Sequence, residues 1–264
     1  MLLVDGHVHL HPGFSAAEFL NHVAANFSDA AGRSGVGSSW TGVLLFTESK
    51  GADRFAELAA AGDAAGDFRL EPTAEAASLL ARSREGPVLL LVAGRQIVVD
   101  GRLEVLALCT TERFPDGASL ATTLERVRTA GAVPVLPWGF GKWWGRRGER
   151  VARVVRSVAP GSLLLGDNGG RPRSLPAPPL FRLARSHGLP ILAGSDPLPF
   201  PYQIRRVGSY GSILADTELD SRHPAESLAR ALLALRSTPP AFGRRVPLAA
   251  FAWAQMRMQV RRRR

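Results

Sequence analysis

The stretch VDGHVHLHP, residues 4–12, decides how the start of this chain folds, because it places three of the six histidines at alternate positions. His7, His9 and His11 closely follow the apolar start MLLV. In a β-strand, residues two apart share a face and lie roughly 6.6 Å apart along the strand. In a helix they would point about 200° apart. Alternate imidazoles on a strand can converge on one small ion, so the stretch predicts a metal site at the end of a first strand.

The composition favours one large α/β domain with a substantial core. The chain has 264 residues, and 45% of them are hydrophobic, which is enough to fill such a core. No apolar run reaches the ~18 residues of a membrane span, and no basic segment precedes a long apolar one as in a signal peptide. Cys109 is the single cysteine, which excludes disulfides and cysteine-rich zinc sites within one chain. These features predict a cytoplasmic protein.

The charge balance points to anionic partners. The formal net charge is +10, from 33 Lys and Arg against 23 Asp and Glu. Part of the excess lies in the basic tail QVRRRR, residues 259–264. A terminal arginine run is usually solvated, and weak contact with nucleic acid or acidic lipid is the alternative.

Short apolar runs alternate with helical stretches along most of the chain. This β-then-α alternation favours a parallel sheet or a barrel. Between residues 87 and 109, two β-rich runs flank Asp100-Gly101 and predict a hairpin. The predicted strands are 1–4, 42–46, 88–92, 133–136, 163–165 and 191–193. The predicted helices are 16–30, 54–65, 120–130, 149–158, 179–186, 224–236 and 248–260.

Polar residues come directly after several of these strands. The carboxyl ends of parallel strands carry the sites of barrels and open α/β sheets. The repeated placement therefore predicts a pocket. The residues that follow the strands are Glu48, Trp138, Lys142, Asp167, Asn168, Arg171 and Asp196.

Three segments together resemble the polymerase-and-histidinol-phosphatase (PHP) family: the opening DGHVHLH, the run FTESKG at 46–51, and HGLPILAGSDPLPFP at 187–201. The opening matches the family's His-x-His. The last segment matches its Gly-Ser-Asp-x-His, with Asp196 kept and Leu198 in place of the His. The resemblance runs from Val4 to about Leu214. It implies a single distorted, TIM-like (β/α) barrel of about seven strands over residues 1–258, whose relatives hydrolyse phosphoesters with up to three metal ions.

Several ligand positions of that family carry other residues in this chain. Glu48 and Ser49 lie where the family has Asp and His, Gln96 falls on a bridging Glu, and Trp138 falls on a ligand His. The resemblance therefore implies a reduced site with one divalent ion rather than three. The retained ligands are His7, His9 and Asp196.

Imidazole and carboxylate ligands suit zinc, manganese or iron. Glu48 is a candidate fourth ligand or a base for a bound water, and Asp167 is a second candidate base. Lys142 and Arg171 would orient an anionic group, since both residue types bind phosphate and carboxylate. The predicted function is a metal-dependent hydrolase, phosphoesterase-like, that acts on a phosphorylated or other anionic small-molecule ester.

The replaced ligands leave a second interpretation open, a catalytically inactive barrel that serves as a binding or accessory module. The individual residues also have structural interpretations, as histidines bonded to carbonyls, an Asp cap, the opening of a helix and a turn before two glycines. His7 and His9 would be the histidines bonded to carbonyls, and Asp196 the cap. Glu48 would open the helix, and Asp167 with Asn168 would form the turn. The tryptophan-rich run WGFGKWW, residues 138–144, is either a hydrophobic lid or a loop that binds phosphate.

Overall fold

The computed structural model of the chain describes residues 1–35, 39–61, 64–84 and 86–263. Its strands are β1 (Leu2–Val8), β2 (Thr41–Phe46), β3 (Ala64–Ala65), β4 (Phe68–Pro72), β5 (Ser78–Ser83), β6 (Val88–Val92), β7 (Gly94–Val98), β8 (Glu104–Leu108), β9 (Val133–Pro137), β10 (Leu164–Asn168), β11 (Ile191–Gly194), β12 (Tyr210–Leu214) and β13 (Ala241–Gly243). Its α-helices are α1 (Ala16–Arg33), α2 (Arg54–Ala61), α3 (Leu120–Thr129), α4 (Arg146–Ser157), α5 (Pro179–Ser186), α6 (Pro224–Ala234) and α7 (Leu248–Arg263). Short 3₁₀ helices cover Asp100–Arg102 and Pro201–Arg206.

The prediction of a single barrel of about seven strands is wrong. Within the described residues, eight strands form a mixed sheet in the order β13-β12-β1-β2-β6-β5-β4-β3, five form a second in the order β11-β10-β9-β8-β7, and neither sheet closes on itself. The βα alternation holds for β9, β10 and β11, which are parallel. It fails where β4, β5 and β6 run antiparallel through short connections. The hairpin predicted around Asp100-Gly101 is confirmed as β7 and β8.

The edge of β1 explains why the strands do not close into a barrel. Closure would require β11 to form a ladder with β1, but β12 already pairs with β1 in antiparallel register, with Leu3 opposite Ile213. The backbone N–H of Ala193 in β11 instead donates to the Ser212 hydroxyl of β12, at 2.9 Å. The Ser212 side chain therefore accepts a hydrogen bond that a backbone carbonyl of the neighbouring strand would accept in a closed sheet.

Glycines let β1 and β11 approach each other without a ladder. A Cβ placed on Gly194 would lie 2.3 Å from the His7 backbone nitrogen, and one on Gly6 would lie 2.6 Å from the Leu192 side chain. Beyond this contact, the Asp196 N–H donates to the His7 carbonyl at 2.9 Å. The carboxyl ends of β1 and β11 are therefore held side by side.

A second contact joins the residues after β2 to β7, the edge strand of the second sheet opposite β11. Glu48, just after β2, forms an isolated parallel bridge with Arg95 in β7. The Glu48 N–H donates to Gly94 O at 3.1 Å, and the Gln96 N–H donates to Glu48 O at 2.9 Å. Between the sheets lies an apolar core that includes Val4 of β1 and Leu164 of β10.

The buried carboxylate of Asp5 ties three segments together. Its Oδ1 accepts from Ser195 N at 2.7 Å and from His7 N at 3.3 Å, and its Oδ2 accepts from Gly208 N at 2.8 Å. Asp5 is fully buried, and this burial raises its pKa to about 6 although the hydrogen bonds act in the opposite direction. One carboxylate thus fixes β1 to the residues after β11 and to the turn before β12.

The basic tail predicted at residues 259–264 continues the helix α7 as far as Arg263, and Arg264 lies outside the described residues. The guanidinium of Arg261 donates to Pro199 O at 2.6 Å. In the part of the chain that the structure describes, no helix has both the length and the apolar character needed to cross a bilayer.

We expect Asp5→Ala to lower the free energy of unfolding by about 3 kcal/mol, because an unsatisfied buried donor costs about 1–3 kcal/mol and three donors lose their acceptor. Part of that loss is offset by removing a buried carboxylate. Urea denaturation measures the change. Asp220→Ala is the control, because Asp220 also accepts two backbone N–H groups but is exposed. Equal losses in the two variants would contradict the role given to Asp5.

Candidate metal centre

The structure brings His7, His9 and Asp196 together at the carboxyl ends of β1 and β11. The Nε2 atoms of His7 and His9 are 3.1 Å apart. Asp196 Oδ1 lies 3.6 Å from His7 Nε2 and 3.7 Å from His9 Nε2. Among the residues that the structure describes, these three form the group of metal-binding side chains whose ligand atoms lie within 4.8 Å of one another.

The spacing of the three ligand atoms fits a small divalent ion. The point equidistant from three atoms at these separations lies about 2.0 Å from each, and zinc–nitrogen bonds are about 2.0–2.1 Å long. Three neutral or anionic acceptors this close repel one another unless a proton or a cation lies between them. The donor set and its geometry therefore suit a metal.

The protonation states also suit a metal. Burial, together with the neighbouring His7, lowers the pKa of His9 to about 3, so the ring is neutral at physiological pH. Burial alone would raise the pKa of Asp196, but the two histidines and the cations Lys142 and Arg206 outweigh it and hold that pKa below its usual value. Neutral imidazole and ionised carboxylate are the forms that bind metals.

Two amides surround the group. Asn168 Nδ2 donates to Asp196 Oδ2 at 2.8 Å and to Trp138 O at 2.9 Å, which orients the carboxylate while Oδ1 faces the histidines. Gln96 Oε1 lies 3.2 Å from His7 Nε2. Partners of this kind fix the geometry of metal ligands. The sequence alone indicated Asn168 only as a polar residue after a strand, and Gln96 only as a replaced ligand.

Asp196 also has a backbone conformation that is rare for its residue type. Its φ of 47° lies in the left-handed region, which costs a residue with a Cβ about 1–2 kcal/mol, although Asp adopts it more readily than most. Such strain persists where the surrounding structure enforces it, and it is concentrated at functional sites. Here the hydrogen bonds of Ser195 to Asp5 and of Asp196 to His7 hold the turn.

The group opens into a cavity of about 540 Å³, which is walled on one side by α7. His11 also lines this cavity, and its Nε2 is bonded to Pro197 O at 2.8 Å. Ser49, Trp138 and Leu198, which the sequence resemblance aligned with ligand positions of the PHP family, line it as well. The cavity is the size of a pocket for a small organic molecule.

The structure places Glu48 outside the group of ligands. Its Oε1 accepts from Phe55 N at 2.8 Å and its Oε2 from Arg95 Nη1 at 2.9 Å. Arg95 donates to Asp53 as well. Glu48 therefore caps the start of α2, which is the structural alternative raised from the sequence, and both of its oxygens are engaged.

Asp167 and Arg171 are bonded to each other. Two hydrogen bonds of 2.7 Å join the guanidinium to the carboxylate, and the Tyr210 hydroxyl donates to Asp167 at 3.0 Å. Both side chains are buried. Neither the predicted base nor the predicted anion ligand is thus directed at the metal ligands. Lys142 does line the cavity, where it pairs with Glu104.

Sequence reasoning missed two residues, Asp5 and Arg206. Asp5 is a lone carboxylate within an otherwise apolar strand start, and this was the available signal. Arg206 lines the cavity, whereas its neighbour Arg205 is exposed. In the run QIRR, residues 203–206, no local pattern tells which arginine faces inward, because the direction of each side chain is set by a 3₁₀ helix.

Comparisons with known proteins give a likeness of fold. No family model matches the chain, and no curated protein matches it in sequence. The chain is similar to a crystal structure of PsfC from Pseudomonas syringae PB-5123, with 14% identity over 99% of this chain and 97% of that chain, and a TM-score of 0.54. At this identity the similarity concerns the fold alone.

We expect Arg171→Met to lower the free energy of unfolding by about 3–5 kcal/mol, because it leaves the buried Asp167 carboxylate without its charge partner. Chemical denaturation measures the loss. Arg173→Met, at an exposed arginine two residues on, should change stability by less than about 0.5 kcal/mol. An unchanged stability of Arg171→Met, with weakened binding of an anionic ligand, would instead support the role predicted from the sequence.

Proposed function

We propose that this chain is a metal-dependent hydrolase of a phosphorylated or other anionic small-molecule ester, and a divergent relative of the PHP family. The observation that carries the proposal is the convergence of His7, His9 and Asp196 at one wall of a cavity of about 540 Å³. Ligand atoms at these separations suit one ion.

Two imidazole nitrogens and one carboxylate oxygen favour zinc, with manganese or iron as alternatives. When bound, such an ion supplies Lewis acidity towards water and towards the ester oxygen. Hydrolysis joins the water oxygen to phosphorus, breaks the ester P–O bond and returns the proton of water to the departing alcohol.

The chain's own residues hold the site in shape. Asn168 fixes one oxygen of Asp196 and leaves the other towards the histidines. Gln96 offers an amide oxygen beside the ligand nitrogen Nε2 of His7, which makes this oxygen a candidate further ligand. Lys142 and Arg206 add positive charge to the cavity wall, where an anionic group of the substrate would bind.

The second candidate is a binding or accessory protein without catalysis. Ser49, Trp138 and Leu198 line the cavity at positions where the PHP family has ligands, and both oxygens of Glu48 are engaged elsewhere. A protein of this class would bind an anionic molecule in the same cavity and leave it intact.

We also propose a cytoplasmic location. Burial raises the pKa of the single thiol, that of Cys109. A protonated thiol reacts slowly with oxidants. A chain with one cysteine forms no internal disulfide, and proteins of the reducing cytoplasm rarely contain one.

The metal proposal is tested by elemental analysis of protein purified without chelator or affinity tag. We expect about one equivalent of zinc, manganese or iron per chain, since a single group of ligands converges. The double variant His7→Ala/His9→Ala should lose it, while His22→Ala, on α1 and away from the cavity, should keep it. An absence of metal from the wild-type protein, even after incubation with each ion, would overturn the hydrolase proposal. Bound metal without turnover of any phosphoester in a broad screen would favour the second candidate.

Asn168→Leu should weaken metal binding by about 10–100-fold, because a ligand's orienting partner typically contributes that much to affinity. Competition against a chromophoric chelator measures the change. Asn26→Leu is the matched control, because Asn26 on α1 also donates two hydrogen bonds to carbonyls, those of Arg205 and Val207, but contacts no metal ligand and does not line the cavity. Equal metal affinities in the two variants would mean that Asn168 does not orient Asp196.

A further inference from the structure

Arg206 differs from the other cations near the candidate metal centre. Lys142 is paired with Glu104, Arg171 is paired with Asp167, and Arg206 has no carboxylate within ion-pair distance among the described residues. Its Nη2 is buried and has no hydrogen-bond partner there. A buried donor without an acceptor is costly, and one on a charged group more so. Nη2 itself has almost no accessible surface, so an anionic ligand would bind the part of the Arg206 side chain that lines the cavity.

The surroundings of Arg206 keep it at the cavity wall. A Cβ on Gly169 would lie 2.8 Å from Arg206 Nη2, so the guanidinium lies against backbone where any other residue would displace it. Gly169 directly follows Asn168, whose Oδ1 is also buried without a partner among the described residues. Arg206 and the metal ligands His9 and Asp196 line the same cavity. The unpaired guanidinium and the metal ligands therefore face one space.

Five aromatic residues also line the cavity, namely Trp138, Phe140, Tyr202, Phe251 and Trp253. Phe140 and Phe251 pack edge to face, with ring centroids 5.0 Å apart, and join α7 to the loop after β9. Phe140, Tyr202 and Trp253 line the cavity and are still 44%, 39% and 54% exposed. Aromatic faces left open at the mouth of a pocket mark a surface that a ligand covers. A small polar anion would leave these faces in water.

We propose that the cavity takes an amphipathic phosphomonoester. This inference rests on the proposed hydrolase function. The phosphate group binds Arg206 beside the metal ligands, and an apolar, ring-sized alcohol part packs against Trp138, Phe140 and Trp253 of the cavity lining. The preferred substrates are therefore esters of aromatic or similarly apolar alcohols rather than of sugars or glycerol.

The test uses phosphonates, whose P–C bond resists hydrolysis. Binding of methylphosphonate and of 1-naphthylmethylphosphonate to the full chain is measured by calorimetry, with and without added zinc. We expect the naphthyl compound to bind about tenfold more tightly than methylphosphonate, since an apolar ring gains one or more kcal/mol against aromatic walls. Equal affinities for the two compounds would overturn the proposed apolar part of the ligand.

Variants separate the two ends of the ligand. Arg206→Met should weaken both compounds by about 10–100-fold, the usual effect of losing a charge-assisted hydrogen bond, and Arg206→Lys should recover part of the loss. Arg205→Met, at the exposed neighbour, should bind as the wild type does. Trp253→Ala should weaken the binding of the naphthyl compound alone, by about two- to tenfold. Trp144→Ala, outside the cavity lining, should leave the binding of both compounds unchanged.

The outcomes distinguish this inference from the hydrolase proposal. Phosphonate binding that depends on Arg206 in a chain that holds no metal would uphold the ligand class and overturn the hydrolase. If the chain binds metal and hydrolyses the ester, but Arg206→Met and Arg205→Met bind the phosphonates equally well, the hydrolase proposal would be upheld and the role of Arg206 overturned. Faster hydrolysis of 1-naphthyl phosphate than of glycerol phosphate, with the preference reduced in Trp253→Ala, would support both.

Discussion

The buried carboxylate of Asp5 is the interaction on which the candidate site depends. It accepts hydrogen bonds from His7, Ser195 and Gly208, which belong to three separate segments. His7 is itself one of the converging ligands, and Ser195 precedes another, Asp196. A carboxylate fully removed from water must be compensated by such bonds. Satisfying Asp5 therefore places the ligands of both strands side by side.

Close backbone contact between β1 and β11 holds the ligands together in addition to the hydrogen bonds of Asp5. Gly6 and Gly194 leave no side chain between β1 and β11, and Ser212 supplies an acceptor where the ladder stops. The two sheets thus approach each other without pairing. One backbone hydrogen bond, from the Asp196 N–H to the His7 carbonyl, joins the strand ends where the ligand side chains converge.

Most charged side chains near the cavity form ion pairs with one another. Glu48 with Arg95, and Asp167 with Arg171, are joined at 2.7–2.9 Å with little exposure, and each pair stabilises its own region because separating buried charges is costly. Carboxylates and arginines that the sequence offered as chemistry therefore have structural roles. Arg206 is the contrast, since within the described residues it forms no ion pair and its buried Nη2 has no hydrogen-bond partner.

The sequence by itself indicated that His7, His9 and Asp196 lie at or near the ends of strands, because this depends on local spacing and on the order of apolar runs. It also determined the hairpin at Asp100-Gly101, where two residues specify the turn. Only the tertiary structure decided that β12 rather than β11 pairs with β1, since a strand's partner depends on contacts between residues about two hundred positions apart. The same holds for which charges face the cavity: Arg205 and Arg206 are chemically alike, and only packing against Gly169 tells them apart.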